Sequence, residues 1–200
     1  MHDAPRRKPL AKPAFLFAAM LLCLALMGIE MAARAQAKGK VLSEYQVQAA
    51  YILNFIRFTT WPSSAFADPQ QDIVLGIYGE DNFGTILDDL DGTFINQRRL
   101  QIVRLGTGGD LHGCHLLYIS GSEHRRLQQI LRGIKKEPTL TISDMDNFAA
   151  EGGMIQLKRV DDKYKLILNT NSTKSAGLQL RANLLKIATL VGQAAPESPR

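Results

Sequence analysis

The sequence has few of the residues that would place it in a specialised class of protein. Its 200 residues include two cysteines, one tryptophan, eight prolines and 16 glycines. Two cysteines cannot build a disulfide-rich scaffold, and the proline and glycine contents exclude a collagen-like chain. Apolar residues make up 46% and charged residues 22% of the chain, which indicates a globular domain rather than a disordered one.

The excess of positive charge is concentrated near the N-terminus. The formal net charge is +5, but the first 37 residues hold five basic and two acidic residues, whereas the rest hold 19 and 17. A body with so small an excess of positive charge has little electrostatic reason to bind a phosphate backbone. We therefore expect no nucleic-acid partner.

The N-terminal residues have the three-part layout of a secretory signal peptide. Basic residues between Arg6 and Lys12 precede an apolar run from Ala14 to Ile29, and small residues that suit cleavage follow it. The run is shorter than the roughly 18 residues that indicate a spanning helix, although an uncleaved anchor is the alternative. We predict a signal peptide over 1–37, one domain over 38–193, a flexible tail over 194–200, and export to the periplasm.

Removal of the signal peptide would leave Cys114 as the sole cysteine, because Cys23 lies in the apolar run. A single cysteine cannot close an internal disulfide, so none is predicted. Two interpretations of Cys114 stay open. Its apolar neighbours favour a buried, inert side chain, and the alternative is a redox-active thiol.

The periodicity of apolar residues predicts an α/β fold. In the first predicted helix, from Ser43 to about Thr59, the apolar stripe comprises Val47, Tyr51, Asn54, Phe55 and Phe58. Short helices are predicted at 83–90 and 123–135, and an amphipathic helix begins at Asn171 or Ser172. The predicted strands are 73–78, 100–105, 115–120, 140–143, 154–160 and 163–168, of which the last two form an antiparallel hairpin. This order predicts a mainly parallel sheet with helices on both faces, plus the C-terminal hairpin and a terminal helix.

The sequence contains no pattern that indicates catalysis. The glycines between Gly76 and Gly84 match neither a dinucleotide-binding fingerprint nor a P-loop. His112, Cys114 and His115 are close in sequence, but neighbouring residues of a strand point to opposite faces and cannot surround one ion. We predict no catalytic residue, metal or cofactor, and this favours a binding or regulatory role.

Several segments in order along the chain resemble the YfiR family, whose domain is DUF4154. The resemblance covers about residues 43–191. It includes the run Gln48–Phe58 with Trp61-Pro62, the run Ile73–Gly84, Gly113–Ile119, Leu140–Asp144, Phe148, Gly152–Ile155 and the segment from Asn169 to Leu178.

The resemblance implies a periplasmic α/β protein, often dimeric, that restrains an inner-membrane diguanylate cyclase and so lowers cyclic di-GMP and biofilm output. The family also pairs the cysteine equivalent to Cys114 with a cysteine in the preceding strand. Here Gly76 stands at that partner position, and a second cysteine pair is missing. Sensing through a disulfide is therefore not expected in this chain.

The residues predicted to contact a partner are aromatic side chains in irregular segments, since aromatic residues dominate interface energetics. They are Trp61, Phe66 and Phe148, and core packing is the alternative role for each. Two other function classes stay open. One is a small-molecule sensor that uses the ligand crevice of a parallel sheet, and the other is a hydrolase, for which no nucleophile–base pair is evident.

Overall fold

The computed structural model describes residues 44–161 and 163–192. The predicted signal peptide over 1–37, with Cys23, and the predicted tail over 194–200 lie outside the described residues. Within the described part of the chain, no helix combines the length and the apolar character that crossing a membrane requires.

Helix α1 covers residues 44–58 and packs one face on the sheet. Its fully buried apolar side chains are Ala49, Ile52, Phe55 and Ile56. Of the predicted stripe, Phe55 is buried, Tyr51 and Phe58 are half-buried, and Val47 and Asn54 are exposed, so the stripe overlaps the buried face only in part. Ten of the 15 residues of this helix are apolar or aromatic, so periodicity alone could not select the buried face, and contact with the sheet selects it.

The remaining elements are short. The helices are α2 (Thr85–Asp88), α3 (Leu127–Gly133), α4 (Thr170–Ser175) and α5 (Ala182–Ile187), with 3₁₀ turns at Ser63–Ala65 and Gly121–Arg126. The strands are β1 (Thr59–Thr60), β2 (Ile73–Tyr78), β3 (Phe94–Ile95), β4 (Arg98–Arg104), β5 (Leu116–Ile119), β6 (Leu140–Ser143), β7 (Ile155–Val160), β8 (Lys163–Asn169), β9 (Gln179–Leu180) and β10 (Ala188–Val191).

Eight of these strands form one sheet in the order β10-β8-β7-β6-β5-β2-β4-β3. Neighbouring strands are parallel except for β7 with β8 and β3 with β4, which are antiparallel. Strands β1 and β9 pair separately and antiparallel. The prediction of a mainly parallel α/β sheet with a C-terminal antiparallel hairpin is confirmed.

Both faces of the sheet are covered by helices, as predicted. Side chains alternate between the two faces of each strand, so Leu116 and Tyr118 belong to the cluster under α1, with Leu184 of α5. Leu117 and Ile119 belong to the opposite cluster, which includes Leu127 and Ile130 of α3.

The C-terminal region is more divided than periodicity predicts. The expected single helix from Asn171 or Ser172 is instead α4, β9, α5 and β10. The side chain of Asn169 caps α4 by accepting a hydrogen bond from the Ser172 N–H at 3.0 Å. Gly177 then adopts a positive φ of 70°, which ends the helix cheaply because glycine has no Cβ. Pairing with β1 and β8 outweighs the helical pattern of the leucines.

Candidate functional site

The loop between β1 and β2 carries Trp61 and Phe66, and His115 fastens it to the sheet. The Nδ1 atom of His115 lies 3.0 Å from the Val74 amide nitrogen, and its Nε2 atom lies 3.0 Å from the Ala65 carbonyl oxygen. The Trp61 indole N–H donates to the His115 carbonyl oxygen at 3.1 Å. One residue at the start of β5 therefore holds both ends of the aromatic segment.

The environment of His115 selects its neutral form. Because the Val74 N–H is a donor, Nδ1 must accept, and the ring proton sits on Nε2, where it is donated to Ala65. His115 is 3% exposed. Burial lowers the pKa of its imidazole below the ordinary value, the hydrogen bond to Ala65 opposes that shift, and the charge of Arg98 lowers the pKa further.

Phe66 is held between two side chains. Its ring stacks on the His115 ring, with 4.4 Å between centroids and 17° between planes. The Arg98 guanidinium carbon lies 3.6 Å from the Phe66 centroid on a cation–π contact. Arg98 also donates to the Gln71 carbonyl oxygen at 2.6 Å. These contacts give Phe66 a fixed position while leaving it half-exposed.

A cavity of about 380 Å³ opens beside these residues. It has an apolar floor, one half-buried tryptophan and two guanidinium groups, and its lining is Ile56, Thr59, Thr60, Trp61, Phe66, Ile73, Ile95, Asn96, Gln97, Arg98 and Arg181. The Thr59 hydroxyl is buried and has no hydrogen-bond partner within the described residues. The cavity therefore offers apolar surface and positive charge to whatever enters it, and the Thr59 hydroxyl oxygen is buried at its lining.

Side chains of the Gly121–Arg126 turn lie at the crevice where parallel sheets usually bind ligands. The order of β4, β2 and β5 places that crevice at the C-terminal ends of β2 and β5. There the Ser122 hydroxyl accepts from the Glu80 N–H at 3.0 Å. A Cβ at Gly79 would lie 2.6 Å from the same oxygen. Glu123, also buried, bonds the Thr107 hydroxyl and lies 3.5 Å from Arg126. These contacts occupy part of the crevice in which the sensor hypothesis places a ligand.

Cys114 is buried against Gly76. It is 6% exposed, and burial, with smaller contributions from Glu137 and Asp110, raises the pKa of its thiol to about 11. An added Cβ at Gly76 would lie 2.8 Å from Cys114 Sγ, close to the roughly 3 Å between a Cβ and the far sulfur of a disulfide. The structure thus places Gly76 where the resemblance puts a partner cysteine.

Phe148 occupies the core beneath α3. It has no exposed surface, and its ring lies directly against Gly153, where a Cβ would collide with it. Its neighbours in the buried cluster include Leu117, Ile119 and Met145. Because no surface of Phe148 is available to a partner, we leave it out of the contact surface that we propose below.

The segment from His112 to His115 does not converge on a metal. Both ring nitrogens of His115 are engaged by the backbone, and His112 is exposed and paired with Glu137. Among residues 44–161 and 163–192, no three histidine, cysteine, aspartate or glutamate side chains are placed to hold an ion.

Sequence reasoning missed the structural roles of His115 and Arg98. From the sequence alone, His115 is considered only as a metal ligand, and no role is predicted for Arg98. Their contacts with Phe66 join segments far apart in the chain, so no local pattern could reveal them. The one sequence signal was the aromatic content of the loop itself.

This α/β fold holds two half-exposed aromatic rings and two guanidinium groups at one cavity, an arrangement typical of binding domains. A family model described as DUF4154, YfiR/HmsC-like, matches residues 45–189, and the chain belongs to this family. The resemblance inferred from the sequence is confirmed. A search of curated proteins finds no significant match. The family is periplasmic, regulatory and non-catalytic, and it acts in cyclic di-GMP signalling with membrane signalling proteins.

Proposed function

We propose that this protein is a non-enzymatic periplasmic regulator that binds an inner-membrane diguanylate cyclase and restrains it. Family membership supports the general role, and the half-exposed Trp61 and Phe66 beside the cavity support the mode of binding. A regulator shifts its target only if it binds the less active state more tightly than the active one. Couplings of this kind change binding affinity by about 5- to 150-fold.

The observation that carries the proposal is the fixed position of the aromatic pair. Interfaces draw most of their binding energy from a few aromatic and arginine side chains, and here Trp61, Phe66, Arg98 and Arg181 share one cavity wall. Because His115 and Arg98 already hold Phe66, little conformational entropy is lost when a partner docks. An apolar side chain of the partner, next to an acidic one, would match the floor and the two guanidinium groups.

The test is cellular cyclic di-GMP in the native host with and without this gene. Deletion should raise cyclic di-GMP, and the exported protein should restore the low level while a version without residues 1–37 should not. Trp61→Ala should fail to restore it. Val47→Ala truncates an apolar side chain that is 43% exposed and outside the cavity, and it should restore the low level fully. Unchanged cyclic di-GMP on deletion would contradict the proposal.

The second candidate is a small-molecule sensor that uses the same cavity. The unpartnered Thr59 hydroxyl favours it, since a buried hydroxyl without a hydrogen bond is costly. A thermal-shift screen of small organic anions on the exported protein would identify a ligand, and Thr59→Val should lose much of that shift. Binding without any effect of gene deletion on cyclic di-GMP would favour another signalling circuit.

Light scattering measures the homodimer that the resemblance implies.

A further inference from the structure

The distal half of the β7–β8 hairpin projects beyond its neighbouring strands as a two-stranded arm. Strand β6 pairs with β7 at Ile155 and Gln156. Strand β10 pairs with β8 from Leu166 to Asn169. Between these contacts, the described residues of the arm pair with each other and with no further strand.

One face of the arm is anchored on α1. The Tyr164 hydroxyl accepts from Gln48 Nε2 at 3.0 Å, and the Tyr164 ring meets the Tyr51 ring edge-to-face at a centroid distance of 6.0 Å. Leu157 and Leu166 face each other on the same side and are buried. The arm is therefore held in place through this face, and its opposite face is turned away from α1.

The opposite face carries Lys158, Lys163 and Lys165, which we call the lysine face. All three side chains are exposed. Lys158 lies directly opposite Lys165, and Lys163 lies opposite Val160. None of the three lysines has an ion pair within the described residues. The hairpin sequence has two acidic residues, at 161 and 162, between Val160 and Lys163.

Like charges directly opposite each other in an antiparallel pair destabilise a sheet. The chain nevertheless places Lys158 against Lys165 on an arm that is otherwise well anchored. An external anion would relieve this repulsion by neutralising both ammonium groups at once. The arrangement therefore costs stability in the free protein and gains from contact with a negatively charged surface.

We propose that the lysine face binds the anionic headgroups of a membrane surface. Lysine is depleted in protein–protein interfaces, and none of the three lysines lines the cavity beside Trp61 and Phe66. Ammonium groups on flexible stems suit phosphates at variable positions, and clustered basic residues near a bilayer are attracted to anionic lipids. This inference does not depend on the proposed function, because it concerns lipid and not a cyclase.

The experiment is co-sedimentation of the exported, purified protein with vesicles of phosphatidylcholine, with and without phosphatidylglycerol. Binding should require phosphatidylglycerol and should weaken as salt is raised. Lys158→Glu and Lys165→Glu should each weaken binding about 25-fold, since each changes the charge by two units and each unit is worth about fivefold. Lys174→Glu makes the same change in net charge on exposed α4, which follows the opposite end of β8, and should weaken binding less than about twofold.

Melting temperature separates loss of binding from loss of folding. Lys158→Glu places a carboxylate opposite Lys165, so it should raise the melting temperature by about 1–3 °C while it weakens vesicle binding. Binding to vesicles without phosphatidylglycerol, or unchanged binding by Lys158→Glu, would overturn the proposal. So would an effect of Lys158→Glu on cellular cyclic di-GMP in a protein that binds no vesicles, and that result would indicate an acidic protein partner.

Discussion

Two irregular segments with aromatic residues end up in opposite environments. The segment with Trp61 and Phe66 connects β1 to β2 and contacts His115 at the start of β5. Both rings stay half-exposed, and the Phe66 ring packs against His115 and Arg98. The segment 144–153 instead inserts Phe148 into the core, where Gly153 leaves space for the ring. An irregular backbone therefore does not by itself predict an exposed contact site. The residues that pack against the segment decide whether its aromatic rings are exposed or buried.

The largest effect is expected from Phe148→Ala. Removing a fully buried phenylalanine leaves a cavity, and such changes cost about 3–5 kcal/mol of the free energy of unfolding. Urea unfolding of the purified protein measures this loss. If the variant keeps wild-type stability but loses control of cyclic di-GMP, the contrast between the two segments is wrong.

Gly76, like Phe148, lies in a buried part of the molecule, where it packs against Cys114. Gly76→Ala adds a methyl group against the thiol and against Leu117, and overpacking of this kind costs about 1–3 kcal/mol. Gly76→Cys should instead form a disulfide with Cys114 under oxidising conditions, and thiol titration in denaturant measures it.

The matched comparison for this disulfide is the wild-type protein, whose thiol should titrate fully in denaturant and react slowly when folded. Slow reaction is expected because the raised pKa of about 11 leaves little thiolate at neutral pH. Free thiols in oxidised Gly76→Cys would show that the two positions are farther apart than the structure places them.

Trp61→Ala should have a smaller effect on stability and a larger one on function. The substitution removes one hydrogen bond to the His115 carbonyl and a half-buried ring, for which we expect a loss of about 1–2 kcal/mol. Urea unfolding and cyclic di-GMP measurements on both variants test this: Trp61→Ala should lose more function and less stability than Phe148→Ala. A stability loss as large as that of Phe148→Ala would assign Trp61 to the core.

The smallest effect is expected for the pH dependence of the free energy of unfolding through His115, which stacks on Phe66. The folded-state pKa of His115 is lowered, so the unfolded chain binds the proton first as the pH falls. The stability that neutral His115 contributes is therefore complete above about pH 6.5 and declines below it, toward the folded-state pKa. Urea unfolding at about pH 7.5 and about pH 5.5 measures the difference.

His112 changes stability with pH in the opposite direction to His115, so a variant without it is needed as a control. Its pKa is raised by the hydrogen bond and charge of Glu137, so its contribution is present at low pH and lost as the pH rises through the folded-state pKa. The loss of stability on acidification should thus be greater in His112→Asn than in wild type. Equal stability of His112→Asn at both pH values would contradict the role assigned to His115.

Local patterns predicted the elements whose signal is contained in a short run. Strands β2 and β6 occur at the predicted residues, because uninterrupted apolar runs between turn residues indicate buried strands. The buried face of α1 was not predicted, because packing on the sheet decides it. The division of the predicted C-terminal helix was not predicted either, because pairing with β1 and β8 decides it. The candidate site was predicted in part: Trp61 and Phe66 lie together at the cavity, but His115 and Arg98 were not recognised as their support.

The sequence by itself determined the α/β class, the pairing of β7 with β8 and the likeness to the YfiR family, because apolar periodicity and ordered motifs are local properties of the chain. Only the tertiary structure decided which aromatic rings reach the surface, that Ser122 packs at the end of β2, and that Lys158 faces Lys165 on a projecting arm. These features depend on contacts between residues far apart in sequence, and burial, hydrogen bonding and charge take their effect only when such residues meet.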